Sequence, residues 1–128
     1  MTGTHRHIPP LALAALALAA GAASAEPQLS LTIGSARLDA THGDITGLQR
    51  GDHGTLHIRL APAFDARIAA LTEGRLGMTA ILSVCGEPVL EATLQSPLAT
   101  ASFVIADPDP RRLARIESLL LSPSCPTD

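Results

Sequence analysis

Leu11 to Ala20 is an unbroken run of leucine and alanine, and it decides how much of the chain is left to fold. Ahead of it, Met1 to Pro10 carries Arg6 with His5 and His7 and no acid; behind it, Gly21 to Ala25 closes in Ala23-Ser24-Ala25. A positive start, an apolar run and a small-x-small ending are the three parts of a secretory signal peptide in working order. The start stays on the cytoplasmic side, the run enters the translocon, and small side chains fit the peptidase pocket. The pattern predicts cleavage after Ala25, which leaves Glu26 to Asp128 as one exported domain, periplasmic or secreted. The competing reading is a retained anchor. Counted from Ile8, the apolar stretch sits at the short edge of the roughly 18–20 residues that span a bilayer, and Pro9 and Pro10 interrupt it. After cleavage no stable membrane span is expected.

Export gives the cysteines a meaning. The chain has two, Cys85 and Cys125, and in an oxidising compartment that predicts one disulfide. Closing a loop of that length contributes on the order of 3–4 kcal/mol by constraining the unfolded chain, which matters to a domain too small for a large core. The spacing is not that of a CxxC redox site and matches no cysteine metal motif. Arg6 leaves with the signal, so the exported part is more negative than the −3 of the whole chain. That argues against nucleic acid or an anionic membrane as partner, since both need clustered positive charge. With no Trp or Tyr and only Phe64 and Phe103, the domain also lacks the aromatic platforms of carbohydrate and nucleic-acid binders.

Along the exported part, Gln28 to Ile33 alternates apolar and polar, as a half-buried strand does. Gly34 to Gly54 is polar and glycine-rich and reads mainly as loop, with a short strand at Ile45 to Gln49. Thr55 to Leu60 alternates again. In Ala63 to Glu73 the period changes: Phe64, Ile68 and Leu71 recur at helical spacing, and Gly74 and Gly77 stand where the helix should stop. Met78 to Cys85 is apolar at most positions, like a central strand. Gly86-Glu87 reads as a turn and Val89 to Leu94 as the returning strand, with Pro88 marking an edge because it has no amide hydrogen. Ser102 to Ala106 is one more strand. Asp109 then caps a helix that opens at Pro110, buries Leu113, Ile116 and Leu120, turns Arg111, Arg112 and Arg115 to water, and ends before Pro123 and Pro126. The order predicts an α+β fold, a mostly antiparallel sheet with two helices packed on one face.

From Leu56 to Leu121 this order resembles the head subdomain of the first periplasmic domain of the SecD/SecDF protein-export subunit. There a strand leads to a helix that opens near a Phe and closes near a Thr, here Phe64 to Thr72. A glycine-containing turn follows, here with Gly74 and Gly77. Next is an apolar strand, here Met78-Thr79-Ala80-Ile81-Leu82-Ser83-Val84, which in the family closes in Asp-Gly and here closes in Cys85-Gly86. The return strand is matched by Val89-Leu90-Glu91-Ala92-Thr93-Leu94-Gln95-Ser96-Pro97-Leu98, with Thr93 where the family has Pro. Phe103-Val104-Ile105 and the helix from Pro110 complete the match. The membrane-spanning portion of that subunit has no counterpart in these residues, so the reading is of the head fold used alone and stapled by a disulfide. The resemblance implies a non-enzymatic binding module without a cofactor, whose partner is a polypeptide or a component of the export machinery.

Chemistry is sparse elsewhere. His42, Asp44, Asp52, His53 and His57 are the one cluster of ligand-type residues, and a zinc- or copper-binding periplasmic protein using His42, Asp52, His53 and His57 is the alternative reading. Their spacing matches no closed metal motif, and polar residues belong in a glycine-rich loop in any case. No serine lies in G-x-S-x-G, neither cysteine has a histidine close in sequence, and Glu87 with Glu91 reads as hairpin solvation. No catalytic residue is expected.

Overall fold

Gln28 to Ile33, expected to bury one face, buries Gln28 and Ser30 along with Leu29, Leu31 and Ile33. In the computed structural model, which describes residues 26–126, β1 (Leu29–Ile33) turns through Gly34 and Ser35 into β2 (Ala36–Ala40). A short 3₁₀ turn at His42–Asp44 leads to β3 (Ile45–Gly51), and β4 (Thr55–Leu60) returns beside it. Helix α1 (Ala63–Thr72), the hairpin of β5 (Thr79–Val84) and β6 (Glu87–Thr93), the strand β7 (Ser102–Ala106) and helix α2 (Pro110–Leu121) complete the chain. The signal reading of the first 25 residues lies outside the described ones. The α+β class and the antiparallel pairing are as expected, but the strands divide into two sheets, ordered β2-β1-β5-β6 and β3-β4-β7. The segment from Gly34 to Gly54, read mainly as loop, holds all of β2 and β3. β2 carries little alternation of its own, since only Leu38 and Ala40 of its five residues are buried; its pairing with β1 holds it.

The two sheets share one core. Leu113, Ile116 and Leu120 of α2 are buried against both sheets, since α2 packs on β4 and on β5. Asp109 caps α2 by accepting from the Arg111 amide at 3.0 Å, with Pro110 following it. α1 buries Phe64, Ile68 and Thr72 and packs beside β2.

The chain crosses between the sheets three times, through α1 from β4 to β5 and at two seams, β2–β3 and β6–β7. At the β2–β3 seam the buried Gln28 donates to the Ser122 carbonyl and accepts from the His42 amide, both at 3.1 Å. Beside this tie lies a smaller pocket of about 300 Å³, lined by His42, Ile45, Leu48 and Leu120. The β6–β7 seam is crossed by the loop after Thr93, and it is open.

Cys85 and Cys125 are joined in a disulfide with Cα atoms 5.5 Å apart. Cys85 (φ +49°) and Gly86 (φ +83°) form the two-residue loop between β5 and β6. Both sit in the left-handed region that such a hairpin turn requires, so the turn lies one residue earlier than the sequence suggested. The bridge fastens the segment that follows α2 to this hairpin. Replacing both cysteines by serine is expected to lower the unfolding free energy by about 3–4 kcal/mol, read as a lower urea midpoint.

Candidate binding groove at the open seam

Where β6 leaves the first sheet and β7 begins the second, a groove of about 350 Å³ opens. Its cause is a pair of small residues. Ala80 of β5 lies opposite Ala92 of β6, while the next inward pair is Leu82 and Leu90. Two methyl groups leave unfilled a place that leucines fill one pair further along. Leu31 and Leu82 form the floor, Leu94 and Leu98 close one end, and Phe103 and Val104 stand opposite. Leu94 and Phe103 belong to the buried core, whereas Ala92 is exposed and Val104 is 45% exposed. The groove is therefore core surface that was never covered. No ionisable side chain lines it; its polar members are Thr93, Gln95, Ser96 and Ser102.

Both rims are strand edges. β6 and β7 each end a sheet. Leu94 donates its amide to the Met78 carbonyl at 2.8 Å, so its backbone points toward β5. Alternation along an antiparallel strand then turns the N–H and C=O of Glu91 and Thr93 to the open side. On the other rim, Leu60 donates to the Ala101 carbonyl and Asp107 donates to the Gly54 carbonyl, both at 2.9 Å. By the same alternation Ser102, Val104 and Ala106 carry the outward groups. The start of β6 is blunted. Pro88 has no amide hydrogen, the register shifts opposite Leu82/Ser83, and Arg112 donates to the Pro88 carbonyl at 3.2 Å. Leu90 to Thr93 is the part of that edge left regular and open.

Arg112 and Arg115, expected to face water, are engaged. Both donate to Glu87, at 3.1 and 2.8 Å, and Arg112 also reaches Asp107 at 2.7 Å. The Glu87 carboxyl is held below its ordinary range by Arg115 first and then Arg112. The Asp107 carboxyl is lowered first by the Asp109 amide and then by Arg112. This cluster sits at the blunted end of β6 and fixes it to α2.

The loop between β6 and β7 is fastened to both ends of α1. At the C-terminal end the Thr72 hydroxyl, fully buried, accepts from the Leu98 amide at 3.0 Å and donates to the Ile68 carbonyl at 2.9 Å. At the N-terminal end Asp65 accepts from the Ala101 amide at 2.8 Å and pairs with Arg59 through both oxygens, at 2.9 and 3.0 Å. Arg59 also donates to the Ala101 carbonyl at 3.1 Å. These residues hold the end wall of the groove in place.

The histidine set is dispersed. His42 is on the 3₁₀ turn, its Nδ1 3.3 Å from the Leu120 carbonyl. Asp52 and His53 lie in the β3–β4 turn, where His53 has φ +60°, and His57 faces out from β4. Among the described residues no three His, Cys, Asp or Glu side chains form a group that could hold a metal ion. Asp44 accepts from the Thr41 amide at 2.9 Å and so caps its own turn.

Two predictions follow from the fastening of the loop. Thr72→Val leaves the Leu98 amide unpartnered, which costs about 1–3 kcal/mol and speeds hydrogen exchange at Leu98. The Asp65 carboxyl is held below its ordinary range, by Arg59 first and the Ala101 amide second. A carboxylate depressed by folding adds stability above its unfolded pKa, about 3.9, and that contribution is lost as pH falls through the folded value. Asp65→Asn is therefore expected to be less stable than the native protein near neutral pH, with the gap closing in acid, in urea titrations of both proteins at a series of pH values.

No protein-family model matches the sequence, and no curated protein matches it. Among solved structures the fold is similar to that of SecDF, described as a membrane component that enhances protein export, with a TM-score of 0.62 over 99% of this chain and 73% of that one. At 11% identity the likeness is one of fold. It falls on the protein whose head the strand and helix order resembles: the chain has a SecDF-like fold.

Proposed function

We propose that this protein is an exported, protein-export-related binding module that takes up extended polypeptide segments by strand addition at β6, over the groove. The carrying observation is the coincidence of two features in one place. An open strand edge at Leu90 to Thr93 supplies unpaired backbone groups, and uncovered core surface lies directly beside it. Edge pairing gives affinity through the main chain, and the apolar floor takes alternate side chains. The same lining, without an acid, base or nucleophile of useful strength, supports a role in binding rather than catalysis.

Three observations support a place outside the cytoplasm: the disulfide, the signal-like start and the likeness in fold to SecDF. Contact with emerging or unfolded chains fits that setting, because such chains have strands to offer. A component of the export machinery presenting a linear segment would use the same edge.

Ala92→Phe tests this. The larger side chain fills the space left by the Ala80–Ala92 pair, so the protein should keep or gain thermal stability. Affinity for an extended apolar peptide, measured by fluorescence anisotropy, should drop by tenfold or more, on the order expected from losing one buried apolar side chain. Equal binding by native and filled proteins would remove the groove from the proposal.

A further inference from the structure

The edge that remains open on β6 is short, and each of its residues constrains what can lie across it. Strand addition at β6, as proposed above, is the premise. A residue paired directly with Leu90 or Ala92 shares their face and enters the groove; the residue between them, paired with Glu91, faces away. The two inward positions meet Leu82, Leu31 and Phe103 without an ionisable neighbour. A charged side chain placed there would be desolvated with nothing to pair with. The outward position meets a carboxylate. Glu91 is exposed, and among the described residues it takes part in no ion pair, unlike Glu87 on the same strand. Opposite charges directly across two strands attract, and like charges repel.

We infer that the groove selects an extended segment with aliphatic side chains at two positions flanking a basic one, set across from Leu90, Glu91 and Ala92. The pattern is aliphatic, Lys or Arg, aliphatic. It needs strand geometry, since only there do the first and third residues share a face. The small Ala92 leaves most room on one side of the pair, so the larger aliphatic residue lies across from it.

The test uses the purified exported protein and synthetic peptides, with affinity read by fluorescence anisotropy. The parent peptide alternates Leu or Val with polar residues and has Lys between its two central aliphatic positions. A block peptide has the same composition with its aliphatic residues consecutive. A third carries Asp at one central aliphatic position, and a fourth carries Glu in place of the Lys. The block and Asp peptides should bind tenfold or more weakly, as expected when about one aliphatic side chain is lost from the groove. The Lys-to-Glu exchange should weaken binding about two- to fivefold, and Glu91→Gln should erase that difference while leaving the Asp penalty intact. Equal binding by all four peptides would overturn the selectivity and leave strand addition standing. Binding by none would overturn strand addition itself. A Lys-to-Glu effect that survives Glu91→Gln would overturn the assignment of the basic position.

Discussion

Two small sheets that each bury one face have to share a core, and α2 is what makes them share it. Its stripe of Leu113, Ile116 and Leu120 is buried against the middle strands of both sheets. Each such side chain contributes about 1.5–3 kcal/mol of burial. Once α2 fixes the angle between the sheets, their edges meet at two seams. At one, a buried glutamine ties the 3₁₀ turn to the residue after α2. At the other, β6 and β7 come near each other without pairing while a loop carries the chain across, and the groove lies between them.

The groove persists because its surroundings are rigid. A flexible loop between β6 and β7 would fold inward and cover Leu31 and Leu82, since apolar surface favours contact with whatever apolar surface is nearest. Thr72 and Asp65 prevent this by gripping the loop from the two ends of α1. Neither grip can be read in the sequence, where Asp65 is an ordinary residue of a helix's first turn and Thr72 an ordinary last one. The Arg59 that completes the clamp lies six residues before Asp65, on a different element. Ala80 and Ala92 were equally silent, because a missing side chain leaves no periodic signal.

What was legible had a local cause. Leu56, Ile58 and Leu60 are buried in the alternation expected of β4, and the Asp109-Pro110 start of α2 follows from capping chemistry. Pro88 marked the edge strand correctly. β3 was legible as the short strand at Ile45 to Gln49, whereas β2 was hidden by composition, since its hydrogen bonds come from pairing with β1 and its side chains contribute little. Arg112 and Arg115 looked like a solvated helix face; their partners Glu87 and Asp107 are brought there by the hairpin and by β7, distances that only the fold creates.

An open edge beside apolar surface is also a hazard, because another copy of the same strand fits it as well as any partner does. The chain limits that hazard without closing the edge. The proline, the register shift and Arg112 remove the first part of β6 from use. In the part that remains, Glu91 is central. Two copies of β6 brought together about that residue would set two carboxylates directly across from each other, a repulsive pair, and the net negative charge of the chain adds to it at longer range. The same residue that would draw in a basic partner thus keeps the protein from choosing itself. An edge needed only for structure could have been paired or covered outright; one kept short, rigid and guarded by a single charge is suited to a ligand that must come and go.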